Sequence, residues 1–454
     1  MTNSGARSRP TALPVRADPR PFSMLDELNC YFDSPAEPNN VHLEAWLSGH
    51  LQPDLLRSAV SATLAGLPAA RARRAAGPWW HAGYTWEFPP ETDADPVSIS
   101  DWRTEAELDS ARARFLAAAP ALDRSPPLRL LLARGPEWDS LILNAHHAAF
   151  DGRSCLRLLY LIADRYGALR PPEAPADSAA PASAHPDPPR RAGTWPTAAS
   201  TSAQTRLPVT ARIAPQHEGG RMPGYGVAML AWPGVPAVPG PPNEPGATVN
   251  DLLIAALAQT IIRWNAARHR RPERVRLTMP ADTRPPGRGD ELGNLSRLCT
   301  ITVDPLRTAR PADLIAYTAK QTRKAKSQPG PQVGPALAAV GRAPLPAPVK
   351  RGLVRLALRW LGPLACDTSL LSNLGNLTDL PGFGMLSPTR MWFSTSAHMP
   401  RGLSVGAVTA DGRLALCFRY RRALFDDAAA GEFAAEYAAA LATLSEPVGA
   451  GNRR

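Results

Sequence analysis

With 454 residues, 44% of them hydrophobic, the chain is too long for one ordinary core and too apolar for a disordered protein, so two lobes of about 150–200 residues are expected. Its net charge of +11 is carried almost wholly by arginine, with lysine only at 320, 324, 326 and 350. The arginines are scattered and not interleaved with aromatic residues as in a single-strand groove, which argues against nucleic acid as a partner.

The first twenty residues contain arginines but no apolar signal core, and read as a flexible arm over 1–20. Ser23 caps a helix beginning Met24-Leu25-Asp26-Glu27-Leu28, Val41 to Leu47 alternates as a strand, and Pro53 opens an amphipathic helix through Leu64. Leu128–Arg134 and Ser140–Ala145 are apolar strands joined by a Gly135-Pro136 turn, and Ser154 to Tyr166 has helical spacing with Ser154 near its cap. The N-terminal lobe therefore covers 21–170.

Residues 171–215 collapse into Pro, Ala, Ser and Thr and read as a linker. A second lobe over 216–446 holds a buried helix from Val249 to Ala266, capped by Thr248 or Asn250. Strands follow at Val275–Met279 and Leu298–Val303. A hairpin of Leu403–Val408 and Leu414–Tyr420 turns at Asp411-Gly412, and Ala428–Leu444 is an Ala-rich helix. A short tail over 447–454 ends the chain. Mixed strands and helices in both halves make the fold α/β. The cysteines (Cys30, Cys155, Cys299, Cys366, Cys417) are odd in number and far apart, against a disulfide framework or a zinc site. No run of about 18 apolar residues occurs, so a soluble cytoplasmic protein without integral membrane contact is expected.

One loop carries chemistry: His146-His147-Ala148-Ala149-Phe150-Asp151-Gly152. Neighbouring strand residues point to opposite faces, so one histidine can face a cavity while the other packs into the scaffold. Gly152 permits a sharp backbone turn. A neutral imidazole near pH 7 can take the proton of an attacking amine or alcohol, a gain of about 10²–10⁴ in rate. The one Gly-x-Ser-x-Gly run, Gly402 to Gly406, falls within the expected strand Leu403–Val408 and not at a strand-to-helix elbow, which favours direct transfer over a covalent enzyme intermediate. Two other readings stay open on residues alone: a metal site with Asp151 as third ligand, and a purely structural histidine pair.

The run from Pro127 through the hairpin to this loop and the helix behind it resembles the CoA-dependent acyltransferase superfamily. That group includes chloramphenicol acetyltransferase, nonribosomal peptide condensation domains, wax ester synthases and polyketide-associated acyltransferases. Its His-His-x-x-x-Asp-Gly signature is met in full. Ser23–Asp26, Leu67–Arg73, Thr248–Asp251, Met279–Arg284 with Leu292-Gly293-Asn294, and Leu371–Gly375 resemble further family segments in the family's order. The resemblance spans about residues 20 to 445. The "Asp-Phe-Gly-Trp-Gly" motif of the plant branch is absent.

The resemblance implies two chloramphenicol acetyltransferase-like lobes forming a V-shaped pseudo-dimer, each a mixed β-sheet with helices, around a central channel. It implies His147 as general base, His146 as motif support, an Asp151–Arg284 pair holding the loop, and Gly152 keeping a pantetheine path open. Ser372 or Asn373 would hydrogen-bond an oxyanion, and His398 would reach the channel; a strand-end turn and a plain loop histidine are the competing readings. The co-substrate would be a coenzyme A or phosphopantetheine thioester, with no permanently bound cofactor and no metal. The donor could ride on an acyl or peptidyl carrier protein supplied in trans, and the acceptor would be a small amine or alcohol. The implied activity is acyl transfer in specialised metabolism. A free-standing condensation-type enzyme forming amides on carrier proteins, and a non-catalytic carrier-binding or recruitment module, are the alternatives.

Lys350 to Trp360 reads as a basic amphipathic helix, with Arg351, Arg355 and Arg359 recurring every fourth residue. It offers a docking face for an acidic carrier, CoA phosphates or a membrane surface. The competing reading is a solvated arginine stripe.

Overall fold

The computed structural model describes residues 17–169, 210–216, 223–238, 246–285, 287–306, 310–327 and 335–446. Most of the expected arm (1–16), most of the linker (171–209) and the tail (447–454) lie outside them.

Two larger sheets organise the described residues. In the first, the strands Leu128–Arg134, Asp139–His146 and Asn40–Leu47 pair antiparallel, and Val97–Asp101 joins Leu128–Arg134 in parallel. Alternation decides its faces: Val41, Leu43, Ala45 and Leu47 enter one core with Leu56, Val60, Leu158 and Ile162 of the helices Pro53–Gly66 and Gly152–Leu169. The residues between them face another way. Glu44 receives Arg112 of the helix Glu105–Leu116 at 2.6 and 2.7 Å, and His42 lies 3.1 Å from the same carboxylate. Burial alone would raise the Glu44 carboxyl, but the Arg112 guanidinium outweighs it and holds it far below the usual range.

The second sheet has the order Ser296–Val303, Val275–Asp282, Ser369–Leu377, Leu403–Ala410, Arg413–Arg421, Tyr225–Trp232. The helices Val249–Ala267 and Asp427–Ser445 cover it, with Trp264, Phe418, Phe433 and Tyr437 at the centre of their core. Thr248 and Asp251 form a capping box at the start of the first of these helices.

The two halves are not closed units. The strand Pro388–Thr395 leaves the second half and pairs antiparallel with Asn40–Leu47 at the edge of the first sheet. A Cβ on Gly406 of the second sheet would lie 1.9 Å from the Phe393 carbonyl oxygen, so only glycine lets this strand lie there. Residues 211–214, read by composition as linker, also belong to a core. Ala211, Ile213 and Ala214 are buried, and Trp264 Nε1 donates to the Ala214 carbonyl at 2.9 Å. Their apolar side chains outweigh the prolines around them.

The basic helix runs from Ala347 to Ala365, and two of the three arginines of its stripe bond to the protein's own backbone. Arg351 donates to the Asp33 carbonyl at 2.6 Å, and Arg355 to the carbonyls of Tyr31 and Asp33 at 3.3 and 2.5 Å. These oxygens lie at the C-terminal end of the helix Met24–Phe32, where unpaired carbonyls and the helix dipole favour cations. The guanidiniums of Arg351 and Arg355 are thus turned onto the protein, Arg359 stays exposed, and Leu353, Leu356 and Trp360 face out. Among the described residues no helix is long and apolar enough to cross a membrane.

Candidate active site

The strand Asp139–His146 is buried along its length between two partners, so its end is fixed in place. Beyond it the chain turns, and Asp151 caps the helix Gly152–Leu169, its Oδ1 accepting the Ser154 amide at 2.8 Å. Ser154 is therefore inside the helix and not its cap: the carboxylate three residues earlier takes that place.

The two histidines diverge. His146 is buried, and its Nδ1 accepts the Ala148 amide at 3.0 Å, which leaves the proton on Nε2, 3.7 Å from Asp33 Oδ2. Burial would raise the Asp33 carboxyl, but His146 and the Asn39 amide outweigh it and hold it below its ordinary value. His147 lies in the turn and lines a cavity of about 640 Å³. Its Nδ1 donates to the Phe150 carbonyl at 3.2 Å, so Nε2 carries the free lone pair. Burial pushes its pKa below the ordinary imidazole value, an effect that Asp151 and the Phe150 carbonyl offset only in part. The result is a neutral base facing a cavity. His146, His147 and Asp151 serve three different partners and do not converge as a ligand set.

The turn is held from the other half of the molecule. Arg284 Nη2 donates to Asp151 Oδ1 at 2.9 Å and to Ser154 Oγ at 2.8 Å; its other nitrogens reach Asp282 and the Glu291 carbonyl, each at 3.0 Å. The Leu295 amide donates to Asp151 Oδ2 at 3.0 Å. Asn294, outside the expected site residues, donates from Nδ2 to the carbonyls of His147 and Ala148 at 2.8 and 2.7 Å. Asn39, also unexpected, accepts the His147 amide on its carbonyl at 2.9 Å. A side chain that holds a backbone leaves no motif of its own, although Asn294 stood in a segment with family resemblance.

Gly152 does not serve the sharp turn that the sequence suggested. Its backbone does not adopt positive φ. A Cβ there would come within 2.7 Å of the Phe393 ring and 2.9 Å of Leu374, both from the second half. The glycine permits close approach between halves, not a strained turn.

Ser372, Asn373 and His398 all line the same cavity. Ser372 lies on the strand Ser369–Leu377 with no hydrogen-bond partner for its hydroxyl among the described residues. The Asn373 Oδ1 accepts the Gly375 amide at 2.8 Å within a β-bulge, which is the turn role. His398 Nε2 lies 3.1 Å from Ser396 Oγ and 3.3 Å from Asn39 Oδ1, and its Nδ1 is buried without a partner. Burial, with Arg401 and Arg419 nearby, pushes its pKa down to about 3, so this imidazole is neutral.

The remaining wall divides by character. Leu25, Leu28, Phe32, Leu337 and Leu358 make an apolar part suited to a hydrocarbon chain. Elsewhere Arg276 pairs with Asp367 at 2.6 Å, Thr278 hydrogen-bonds the same carboxylate, and Arg401 reaches the Thr278 hydroxyl at 3.4 Å. The arrangement can deprotonate an acceptor at His147 Nε2, seat an apolar group and attract an anionic one.

No family model matches the chain. Uncharacterized proteins from two strains of Mycobacterium tuberculosis are 32% identical over 438 residues, 93% of this chain and 99% of theirs. Among solved structures, the first condensation domain of the CDA synthetase aligns over 96% of this chain and 98% of its own, with a TM-score of 0.61 and 14% identity. SgcC5 from Streptomyces globisporus aligns over 94% and 98%, with a TM-score of 0.58 and 15% identity. The starter condensation domain of rhizomide synthetase, solved with C8-CoA, aligns over 93% and 94%, with a TM-score of 0.57 and 15% identity. At these identities the likeness concerns the fold: two lobes of the condensation-domain, chloramphenicol acetyltransferase-like kind.

Proposed function

The chain belongs to the family of those uncharacterized mycobacterial proteins, and from that premise, with its condensation-domain fold, we propose that it is an acyltransferase moving an acyl group from a thioester to a small amine or alcohol. The observation that carries this reading is the His147 imidazole, its Nδ1 tied to the Phe150 carbonyl and its Nε2 at a cavity without a partner among the described residues. Nε2 takes the proton of the acceptor hydroxyl or amine as that atom attacks the thioester carbonyl. The C–S bond then breaks, and the departing thiolate takes the proton back from the imidazolium. The free Ser372 hydroxyl donates to the oxyanion of the tetrahedral intermediate. Asp151 and Arg284 position the turn and do not touch substrate. The donor is coenzyme A or a carrier-bound phosphopantetheine thioester, a choice supported by the C8-CoA held by the rhizomide synthetase domain.

The test is thiol release and intact mass on a panel of acyl-CoAs and acyl-carrier proteins with mixed acceptors, wild type against His147→Ala. A loss of about 10² or more in kcat/KM is expected. Turnover unchanged in the variant would remove His147 from the chemistry.

A further inference from the structure

The outer face of the helix Ala347–Ala365 is apolar where a surface helix is ordinarily polar. Val349, Leu353, Leu356 and Trp360 recur at intervals of four, three and four, which places them on one stripe, and all four are exposed, Trp360 to 68%. Leu361 beside them is also exposed. At 1.5 Å per residue the stripe is about 16 Å long. At its N-terminal end stands the loop of Trp79 and Trp80, which are 68% and 61% exposed. The Ala347 amide donates to the His81 carbonyl at 2.8 Å, and Trp79 and Pro348 line a common groove, so loop and stripe adjoin.

Charge says what covers this face. From Leu314 to Cys366 the sequence has nine Lys and Arg and no Asp or Glu. Five of them, Arg342, Lys350, Arg351, Arg355 and Arg359, lie on this helix or just before it. Lys350 donates to two backbone carbonyls, at 2.7 and 2.6 Å, so its charge is held beneath the face without a carboxylate bond. Arg359 is exposed and lies 6.0 Å from the Trp360 ring centroid. Tryptophans at both ends, leucine and valine between, and cations with no acidic residue in the segment suit a layer with an anionic surface and an apolar interior. A protein partner of mixed charge would find no anionic counterpart on this helix.

We propose that this face is a peripheral membrane-binding surface that lays the helix Ala347–Ala365 and the Trp79-Trp80 loop on anionic phospholipid. The arginine positions singled out in the sequence matter here through their summed charge, while the contact itself is made by the leucines and tryptophans. This reading does not depend on catalysis, because vesicle binding is read without turnover.

The experiment is cosedimentation of the full chain with vesicles of phosphatidylcholine alone and of phosphatidylcholine mixed with phosphatidylglycerol, at low and high salt. Wild type, Leu356→Ser/Trp360→Ser and Trp79→Ser/Trp80→Ser are compared, with circular dichroism confirming that each is folded. Binding to the anionic vesicles, weakened by salt and lowered about tenfold or more in either variant, is expected. Wild type remaining in the supernatant overturns the proposal, as does a folded variant that binds equally well. A concentration-dependent dimer that these variants dissolve, or capture of an acidic acyl carrier protein by this face, in either case without vesicle binding, assigns the face to a protein and overturns it as well.

Discussion

Removing the ion pair between Asp151 and Arg284 tests whether the turn bearing His147 is held from the opposite half of the molecule. The Arg284 side chain is 3% exposed and that of Asp151 8%, so both charges depend on partners rather than water. Asp151→Ala leaves the guanidinium with Asp282, Ser154 and one carbonyl, and takes the acceptor from the amides of Ser154 and Leu295. Breaking a buried pair from one side costs about 3–5 kcal/mol; with Asp282 remaining, about 3 kcal/mol is expected. Arg284→Ala leaves Asp151 its two amide donors, so about 2–3 kcal/mol is expected. The double variant should fall short of the sum by about 1.5–3 kcal/mol. Urea unfolding of all four proteins, followed by tryptophan fluorescence and circular dichroism together, measures the cycle, coincident transitions licensing the arithmetic. Single losses below about 1 kcal/mol, or additivity within about 0.5 kcal/mol, would refute the reasoning.

Acidification gives a second prediction. His147 must be neutral to accept a proton, and burial holds its pKa below the ordinary 6.5, so kcat/KM should be level through neutrality and fall only below pH 6.5. A pH–rate profile already falling at pH 7 through this group contradicts the assignment. The third concerns the strand shared between halves. Gly406→Ala places a Cβ against the Phe393 carbonyl oxygen, backbone that cannot swing aside, and should destabilise by about 1–3 kcal/mol in the same urea assay. A change under about 0.5 kcal/mol would mean that the strand Pro388–Thr395 is free to shift.

Much of this was legible where one local rule decided the outcome. The alternating run Val41–Leu47, the apolar strand Leu128–Arg134 and the Asp411-Gly412 turn all carry their own signal, and the structure has each of them, while of the two cap candidates Thr248 and Asn250 it takes Thr248. The strand Pro388–Thr395 was missed because its identity depends on an edge 340 residues away in sequence, which no window can see. The basic helix shows a subtler limit. Its spacing correctly separated an arginine face from an apolar one, but periodicity has no sign: it cannot say which face is inside. The carbonyl end of Met24–Phe32 took Arg351 and Arg355 inward.

The same division explains why the site was half visible. His147 and Asp151 announce themselves because an imidazole or a carboxylate at such spacing is rare. Arg284 came from resemblance and sits where that implied, 133 residues from its partner. Asn294 acts through an ordinary side-chain amide on the turn's backbone, and an asparagine reads the same in any loop, while Asn39 acts through its main-chain carbonyl, which any residue carries. Gly152 was visible, but a glycine states only that a Cβ is unwelcome, not whether dihedral or neighbour forbids it. Here the neighbours are Phe393 and Leu374. The turn bearing His147 is therefore supported by the second half at Arg284, Asn294, Leu295, Phe393 and Leu374. Any displacement between the halves must disturb the imidazole, so its placement reports on their packing.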